Sequence, residues 1–397
     1  MKNDKSILSL LARKKTSLFA LVIIGIACFI ALFANILAPD KTVNANDQIP
    51  ELALIDAAET FQVLQFRKNK EIEKSTFFKT LFKGKENPFK IIPYNNLIFK
   101  GDSLIIEKYE GVSEFGIQRE GSIAQFHLMD VVFPIKEIVK NGLKYKAFGV
   151  DGSTVEISKP ELIAKIKSEQ LEQKRFYFGT DKFGRSIMSR LFLGIRISLL
   201  VGLIAVLISL SIGILVGALG GYFGGTVDNL VMLLINTVWS IPTLLLVFAI
   251  VLALGRGIGI IFFAVGLTMW VEVARIVRGQ VKYFKESQFI EAAQSLAFSK
   301  SRIIINHILP NIIGPVLVIA SANFATAILI EAGLSYLGFG IRPPAPSIGN
   351  MLNENYGFAL NGKPMLALIP AITIMFLVLA FNVLGNSLRD VFDVKAD

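Results

Sequence analysis

The chain has 397 residues, of which 53% are hydrophobic and only 18% are charged, and its mean hydropathy is +0.58. Soluble globular domains do not combine such hydropathy with so few charges, so the composition excludes an ordinary soluble protein. The formal net charge of +10 fits a membrane protein whose basic residues hold its cytoplasmic segments inside, and it does not favour a nucleic-acid partner.

Six apolar runs are long enough, or nearly so, to cross a membrane as helices, which takes roughly 20 residues for a hydrocarbon core about 30 Å thick. They are residues 18–38, 197–219, 229–254, 258–274, 313–337 and 366–388. Pro242 lies inside the third run, where packed neighbouring helices can tolerate it. The first run is too long for the apolar part of a signal peptide, so we expect an uncleaved span.

The polar block of residues 40–176 lies between the first two runs and is far too long for a connecting loop. It is predicted to be an inserted α+β domain. YKAFGVDGSTVEIS (145–158) predicts a β-hairpin around its Asp-Gly pair, LIIEKYE (104–110) a strand, and PELIAKIKSEQLEQKR (160–175) a helix. No site motif stands out in this block, which favours a spacer or docking domain without chemistry of its own.

Basic residues set the expected orientation. They precede the first run at Lys2, Lys5, Arg13, Lys14 and Lys15, so residues 1–17 are predicted to be cytoplasmic. Six crossings then place residues 40–176 outside, and return residues 275–312 and the tail 394–397 to the cytoplasm. One set of basic residues disagrees with this topology. The count of crossings places them outside the cell, whereas basic residues usually stay inside: Lys182, Arg185, Arg190 and Arg196.

FGTDKFGR (178–185) contains two glycines, Gly179 and Gly184, and two candidate helix caps, Thr180 and Asp181. It lacks the Lys-Ser/Thr pair of a phosphate-binding P-loop. The pattern therefore predicts a turn that leads into a basic interfacial helix.

The stretch EAAQSLAFSKSRIIINHILPN (291–311) is polar, although it lies between two apolar runs. With the preceding residues it predicts two short cytoplasmic helices. Glu291 is favoured near a helix N-terminus, Ala292 and Ala293 offer a small flat face, and Ser299 can cap the next turn. Pro310 stops or bends the chain. The residues alone leave two interpretations open, a docking helix and a plain amphipathic surface helix.

EAGLSYLGFGIRPPAPSIGNML (331–352) places an acid, Glu331, at the end of the fifth run. An ionisable group at membrane depth is a functional candidate, because it is costly to bury. Pro343, Pro344 and Pro346 predict a stiff external loop. Whether this stretch lines a pathway or only braces two spans stays open.

Motifs for chemistry of its own do not occur in the sequence. There is no P-loop signature, no serine nucleophile elbow and no H-E-x-x-H. The single Cys28 rules out an internal disulfide, and two isolated histidines, His127 and His307, oppose a zinc or histidine-based catalytic site. Any energy source must be an ion gradient or another subunit.

EAAQSLAFSKSRIIINHILPN resembles the EAA motif of permease subunits of ATP-binding-cassette (ABC) importers. FGTDKFGR resembles the LGTDxxGRD pattern, and WVEVARIVRGQV (270–281) and LAFNVLGNSLRDVFD (379–393) resemble the flanking family segments. With residues 331–352, these matches make residues 178–393 similar to the C-type permease of the dipeptide/oligopeptide/nickel importer family.

The resemblance implies an all-α polytopic protein of the bacterial inner membrane, with six transmembrane helices in the type I ABC importer permease fold. It implies a second, B-type permease subunit, two cytoplasmic ATPase subunits that bind ATP and Mg, a substrate-binding protein and surrounding membrane lipids, with no cofactor, metal or catalytic site on this chain. The loop 275–312 would couple to the ATPases through Glu291, Ala292, Ala293, Ala297, Leu309 and Pro310. The other positions that match family motifs are Gly179, Thr180, Asp181, Gly184, Arg185, Glu331, Gly333, Pro343, Pro344, Gly349 and Asn350.

Several positions depart from the family pattern. The glycine of the motif falls on Ala297, where alanine resists a positive φ, so a helical turn is the expected alternative. Other motif positions with charged residues in the family fall on Ser186, Leu233, Asn236 and Asn386. The resemblance does not cover the insert, and it leaves the substrate open between peptides, nickel chelates and another small solute.

Other function classes compete with an ABC permease. An ion-driven secondary transporter is opposed by span interiors that are nearly free of charge and by the absence of repeats. An enzyme is opposed by the missing site motifs. An adaptor whose insert recruits another envelope protein stays an alternative.

Overall fold

The computed structural model describes residues 10–72, 76–111, 118–141, 144–150 and 152–396. The predictions that concern Lys2, Lys5 and Asp151 therefore lie outside the described residues. The chain divides into two compact units. The helical unit comprises Met1–Leu32, Gly194–Tyr356 and Ala367–Asp397, and the α+β unit comprises Phe33–Leu193 and Gly357–Leu366.

Helices make up most of the chain. They are α1 Lys15–Leu37, α2 Phe77–Lys83, α3 Leu128–Val132, α4 Lys159–Lys165, α5 Ile187–Phe223, α6 Gly225–Trp239, α7 Thr243–Leu254, α8 Ile258–Lys285, α9 Gln288–Ser295, α10 Lys300–Arg302, α11 Ile313–Tyr336, α12 Ile348–Leu360 and α13 Met365–Ala396. Between α10 and α11 the chain forms a π-helical turn, Ile303–Ile308, and a 3₁₀ turn, Leu309–Ile312.

Five helical segments of the described chain are long and apolar enough to cross a membrane, and the number is six if α6 and α7 form one span. Those two helices meet at 85°. The break falls at Pro242, whose ψ of 124° is not helical. Proline removes a backbone donor and disfavours a helical residue before it, so the predicted third run is bent rather than continuous.

Two predicted helix boundaries are wrong. The basic stretch after FGTDKFGR is not a separate interfacial helix, because α5 runs unbroken from Ile187 to Phe223. The predicted span 258–274 continues to Lys285. It continues because Val277 and Val281 keep an apolar face that is fully buried.

The helical unit is organised around α8. Three glycines of α5, spaced four residues apart, face it: Gly213, Gly217 and Gly221. A Cβ on Gly217 would lie 2.6 Å from the carbonyl oxygen of Ala274, and one on Gly221 would lie 2.6 Å from that of Arg278. Such small residues let two membrane helices approach closely. At one end of this unit, Lys14 Nζ lies 2.8 Å from Asp390 Oδ2, so the start of α1 and the end of α13 are neighbours.

The α+β unit contains two antiparallel sheets. Their strands are β1 Glu59–Arg67, β2 Phe89–Lys100, β3 Ser103–Lys108, β4 Ile123–His127, β5 Ile135–Asn141, β6 Lys144–Gly149, β7 Thr154–Ser158 and β8 Leu171–Phe176. The first sheet has the order β4-β3-β2-β1-β8 and the second β5-β6-β7. Leu64, Leu104, Ile106 and Met129 lie fully buried in one core between sheet and helices.

The predicted hairpin is confirmed, because β6 pairs antiparallel with β7 in a register that sets Ala147 opposite Val155. The predicted strand at 104–110 is confirmed as β3. The predicted helix 160–175 is only half right. It forms as α4 and the π turn Ile166–Gln170, but Leu171–Phe176 pairs with β1 as a strand. Sheet pairing therefore overrides the helix propensity of LEQKRF.

Candidate functional site

The coupling segment, residues 286–312, connects α8 to α11. Its helix α9 begins after Ser287, and Glu291 lies in the first turn, as the sequence predicted. Ile290 and Ala293 point inward and are 0% and 5% exposed. They pack in one cluster with Val277 and Val281 of α8 and with the isoleucines of the following turn, Ile303, Ile308 and Ile312. These shared contacts join α9 to α8 and to the start of α11.

A neighbouring face of α9 is open. Phe289, Ala292 and Leu296 follow the i, i+3, i+7 spacing of one helix face, and Leu296 is 69% exposed. Glu291 is exposed beside them. The expected flat alanine face is correct for Ala292 but wrong for Ala293, which is buried in the chain's own core. An exposed apolar strip flanked by one acid is a surface that suits a protein partner.

Ala297 corrects a further expectation. Its φ is +54°, so it adopts the left-handed conformation of the family glycine rather than a helical turn. Ala297 N donates to Gln294 O at 2.9 Å, and Phe298 N donates to Ala293 O at 3.2 Å. This pair of bonds is a Schellman motif. Phe298 also packs on the cluster below α9, and these contacts offset a left-handed cost of about 1–2 kcal/mol for a residue with a Cβ.

The return toward the membrane is irregular. Ser299 Oγ accepts a bond from Arg302 N at 3.4 Å, which confirms the predicted cap. The π turn and the 3₁₀ turn follow, and exposed Pro310 lies in the latter. Leu309 packs partly buried against the cluster. A π turn inside a helix frequently marks a functional site.

An ion pair that the sequence did not predict joins two helices of the unit. Arg278 of α8 donates two hydrogen bonds to the carboxylate of Asp228 of α6. Its Nε donates to Oδ1, and its Nη2 lies 2.6 Å from Oδ2. Nearby, Arg275 Nη2 donates to Asn236 Oδ1 at 3.2 Å and its guanidinium stacks over Trp239. Both arginines belong to WVEVARIVRGQV, a family-like segment in which no sequence pattern singled them out. The sequence feature that could have pointed to these contacts is the pair of polar residues Asp228 and Asn236 in an otherwise apolar segment.

Glu331 is fully buried in α11. Its carboxylate accepts bonds from Ser347 Oγ at 2.6 Å, Ser335 Oγ at 2.7 Å and Ser198 Oγ at 3.4 Å. Ser198 belongs to α5, and Ser347 immediately precedes α12. In this conformation Glu331 therefore braces three elements and does not line an open pathway.

The loop after α11 folds back onto that helix. Asn350 Nδ2 donates to Ile341 O at 2.5 Å, and Ile341 N donates to Ser335 Oγ at 3.4 Å. A Cβ on buried Gly349 would lie 2.8 Å from Ala332 Cα, so glycine is needed for this approach. Gly333 is half-buried, and Pro343 and Pro344 are exposed. Of these motif positions, Gly349 and Asn350 therefore pack the loop near Glu331.

FGTDKFGR lies in the α+β unit and builds a closed loop. Thr180 Oγ1 donates to Leu52 O at 2.5 Å, and Asp181 accepts from Phe183 N and Arg185 N. Asp181 also binds Arg185 Nε at 2.6 Å, with both side chains at most 3% exposed. Gly179 and Gly184 have positive φ.

The predicted cap of the following helix is wrong. Neither Thr180 nor Asp181 caps α5; instead Ser186 Oγ accepts from Ser189 N at 3.4 Å. The serine that departs from the family pattern is therefore the residue that starts this helix. Within the described ranges, no group of three or more His, Cys, Asp or Glu side chains is placed to hold a metal ion.

Comparison with known proteins defines the class. The family described as "Binding-protein-dependent transport system inner membrane component" matches residues 189–396. This chain belongs to that family. The resemblance found in the sequence is thereby confirmed.

Individual relatives narrow the comparison. The chain is 37% identical over 230 residues to the oligopeptide transport system permease protein OppC of Bacillus subtilis (strain 168), covering 58% of this chain and 75% of the relative. It is 44% identical over 219 residues to OppC of Escherichia coli (strain K12), covering 55% and 72%. Among solved structures, a chain of the MetNI methionine ABC transporter in an inward-facing conformation aligns at a TM-score of 0.44 and 18% identity, covering 52% of this chain and 97% of that one.

Proposed function

We propose that this chain is a permease subunit of an ATP-driven peptide importer, coupled to cytoplasmic ATPases through α9. The observation that carries the proposal is the geometry of the coupling segment. One face of α9 packs against α8 and the start of α11 through Ile290 and Ala293, while a neighbouring face exposes Phe289 and Leu296. Family membership and the names of the two OppC relatives support the class and a peptide substrate.

The proposed assembly supplies what this chain lacks. Two ATPase subunits bind and hydrolyse ATP with Mg, and each grips the α9 surface of one permease. A second, B-type permease completes the translocation path, and a substrate-binding protein delivers the peptide. This chain contributes no catalytic residue, and its role is to convert closure of the ATPase pair into helix movement.

Force transmission follows from the contacts. When the ATPases close, α9 moves with them and carries α8, because Val277 and Val281 share its buried cluster. The Asp228–Arg278 ion pair passes this motion to α6. The spans then alternate between inward-open and outward-open states. Coupling requires that the ATPases contact α9 differently in the two states, since equal affinity would shift nothing.

The proposed topology has six crossings, with α6 and α7 forming one bent span. An even number of crossings puts both chain ends on one side, in keeping with the Lys14–Asp390 contact. The basic residues around the coupling segment favour the cytoplasm for that side. The segments proposed on this basis are cytoplasmic residues 1–17 and 394–397, a first span at 18–38, extracytoplasmic residues 40–176 and a permease core at 178–393.

Transport by the reconstituted assembly tests the proposal. The partner permease, both ATPases and the binding protein are combined with this chain in liposomes, and uptake of labelled di- and oligopeptides is measured with ATP inside. We expect uptake that requires ATP and the binding protein. Uptake of a nickel chelate but no peptide would move the chain to a different substrate, and uptake driven by an ion gradient without ATP would overturn the proposal.

A further inference from the structure

The short helix α2 exposes three aromatic side chains. Phe77, Phe78 and Phe82 of FFKTLFK are 62%, 68% and 63% exposed. On a helical projection they occupy one arc, and Lys79 and Lys83 occupy the opposite arc. Exposing this much aromatic surface to water is unfavourable, so the helix has the pattern of a segment that lies at a membrane surface.

Contacts within the α+β unit fix α2 to the end of a membrane helix. Asn35 Nδ2, in the last turn of α1, donates to Leu81 O at 3.0 Å, and Asn35 is 2% exposed. Lys85 N, just after α2, donates to Lys41 O at 2.9 Å. Because α1 is apolar enough to span the membrane, these bonds hold α2 at the depth where the hydrocarbon ends and lipid headgroups begin.

A cavity of about 420 Å³ opens between α2 and the end of α1. Its apolar lining is Val43, Phe82 and Leu193, and its charged lining is Lys79, Lys83, Lys85 and Glu86. Glu86 is already paired with Lys70 at 2.9 Å. Among the residues that the structure describes, neither Lys83 nor Lys85 forms a salt bridge. The cavity thus combines an excess of positive charge with an apolar wall.

We propose that this cavity binds an anionic phospholipid. The lysines at its rim, Lys83 and Lys85 together with Lys79, hold the phosphate, and the acyl chains lie along Phe82, Phe78 and Phe77. A lipid fits better than free phosphate, because the lining includes the apolar side chains of Val43, Phe82 and Leu193 and because the site adjoins the end of α1. The bound lipid and the three phenylalanines anchor the α+β unit to the bilayer surface.

Fluorescence of a single tryptophan at position 78 tests both parts of the site. Phe78→Trp is made in the full chain, with Trp239→Phe and Trp270→Phe, and the protein is reconstituted in vesicles of phosphatidylcholine. Phosphatidylglycerol or phosphatidylcholine with brominated acyl chains is then added at equal fractions. We expect strong quenching, with phosphatidylglycerol favoured. Lys83→Gln and Lys85→Gln should each lower that preference about fivefold, since a lysine near an anionic surface contributes about 1 kcal/mol.

Matched controls separate this site from general surface charge. Lys100→Gln and Lys136→Gln remove the same charge from exposed lysines of the same unit that do not line the cavity, and they should leave the preference unchanged. Absence of quenching, equal quenching by the two lipids, or equal effects of the control pair would overturn the proposal. Loss of the preference on adding inorganic phosphate at constant ionic strength would assign the lysines to free phosphate and would also overturn it.

Discussion

Ser347 Oγ donates a 2.6 Å hydrogen bond to Oε1 of Glu331, and this contact ties the start of α12 to the C-terminal part of α11. Ser335 and Ser198 complete the shell around the same buried carboxylate. A polar group this deep is tolerated only where its partners are all in place. Glu331 therefore contributes to holding the loop after α11, together with the bond from Asn350 to Ile341.

Glu331→Ala should destabilise the protein by about 2–4 kcal/mol, because it leaves buried hydroxyls without an acceptor and opens a cavity. Glu331→Gln keeps an acceptor oxygen and should lose much less. Thermal unfolding in detergent measures both. Glu272→Ala, on an exposed acid of α8, serves as control and should change stability by less than about 0.5 kcal/mol. Equal losses for the alanine and glutamine variants would show that the hydrogen bonds do not matter.

Asp181→Ala should cost about 3–5 kcal/mol, because it leaves the buried guanidinium of Arg185 without its carboxylate. Asp56→Ala is the matched control. Asp56 pairs with Lys363 at 2.9 Å but its side chain is 68% exposed, so its loss should cost at most about 1 kcal/mol. The two variants are compared by chemical denaturation. Similar losses would contradict the closed-loop role assigned to FGTDKFGR.

Ala297→Gly should raise stability by up to about 1 kcal/mol. Glycine relieves the left-handed strain at φ +54°, although its greater freedom in the unfolded chain offsets part of the gain. Ala292→Gly makes the same change inside α9, where it should lower stability by about 1 kcal/mol. Amide hydrogen exchange across α9 measures the change in stability for both variants. Destabilisation by both glycines would show that the left-handed turn costs little here.

Asp102, Lys140 and Tyr145 form a hydrogen-bonded cluster in the α+β unit, called here the Asp102 cluster. It predicts a contribution to stability that is lost at acid pH. A hydrogen bond from Lys140 at 2.5 Å, and another from Tyr145, hold the pKa of Asp102 well below its usual 3.8. The unfolded chain then binds the proton first, so this contribution is present above about pH 4 and is lost as pH falls below it. Unfolding of wild type and Asp102→Asn between pH 3 and pH 7 measures it. The gap between the two curves should begin to narrow as pH falls below about 4, and a constant gap would contradict the assignment.

The same contact also predicts a loss of stability at alkaline pH, through Tyr145. Burial and the Asp102 carboxylate raise the pKa of Tyr145 to about 12. The unfolded chain therefore loses its phenolic proton first, and stability should decline as pH rises above about 10. The prediction for Asp102 and this one share a single cluster, so Tyr145→Phe should flatten the alkaline limb and also weaken the acid limb, because it removes one of the hydrogen bonds that lower the pKa of Asp102.

Local patterns predicted local structure well. The apolar runs predicted the long apolar helices, the Asp-Gly pair predicted the β6–β7 hairpin, and Ser299 is the cap that the sequence predicted. The predictions failed where tertiary contacts decide the local structure. LEQKRF became β8 because β1 offers it a partner, and Ala297 is left-handed because a Schellman motif and Phe298 hold it. The Asp228–Arg278 pair was missed, since no spacing rule links residues on two different helices.

The central claim, that α9 couples this chain to its ATPases, is tested most directly by Glu291→Lys. The variant is assembled with the partner permease, the ATPases and the binding protein, and ATP hydrolysis is measured with and without loaded binding protein. Glu286→Lys makes the same charge change in the same segment, outside α9, and should keep the stimulation. We predict that Glu291→Lys reaches the membrane normally but that its stimulation by loaded binding protein falls to the basal rate. Stimulation at the wild-type level would contradict the account.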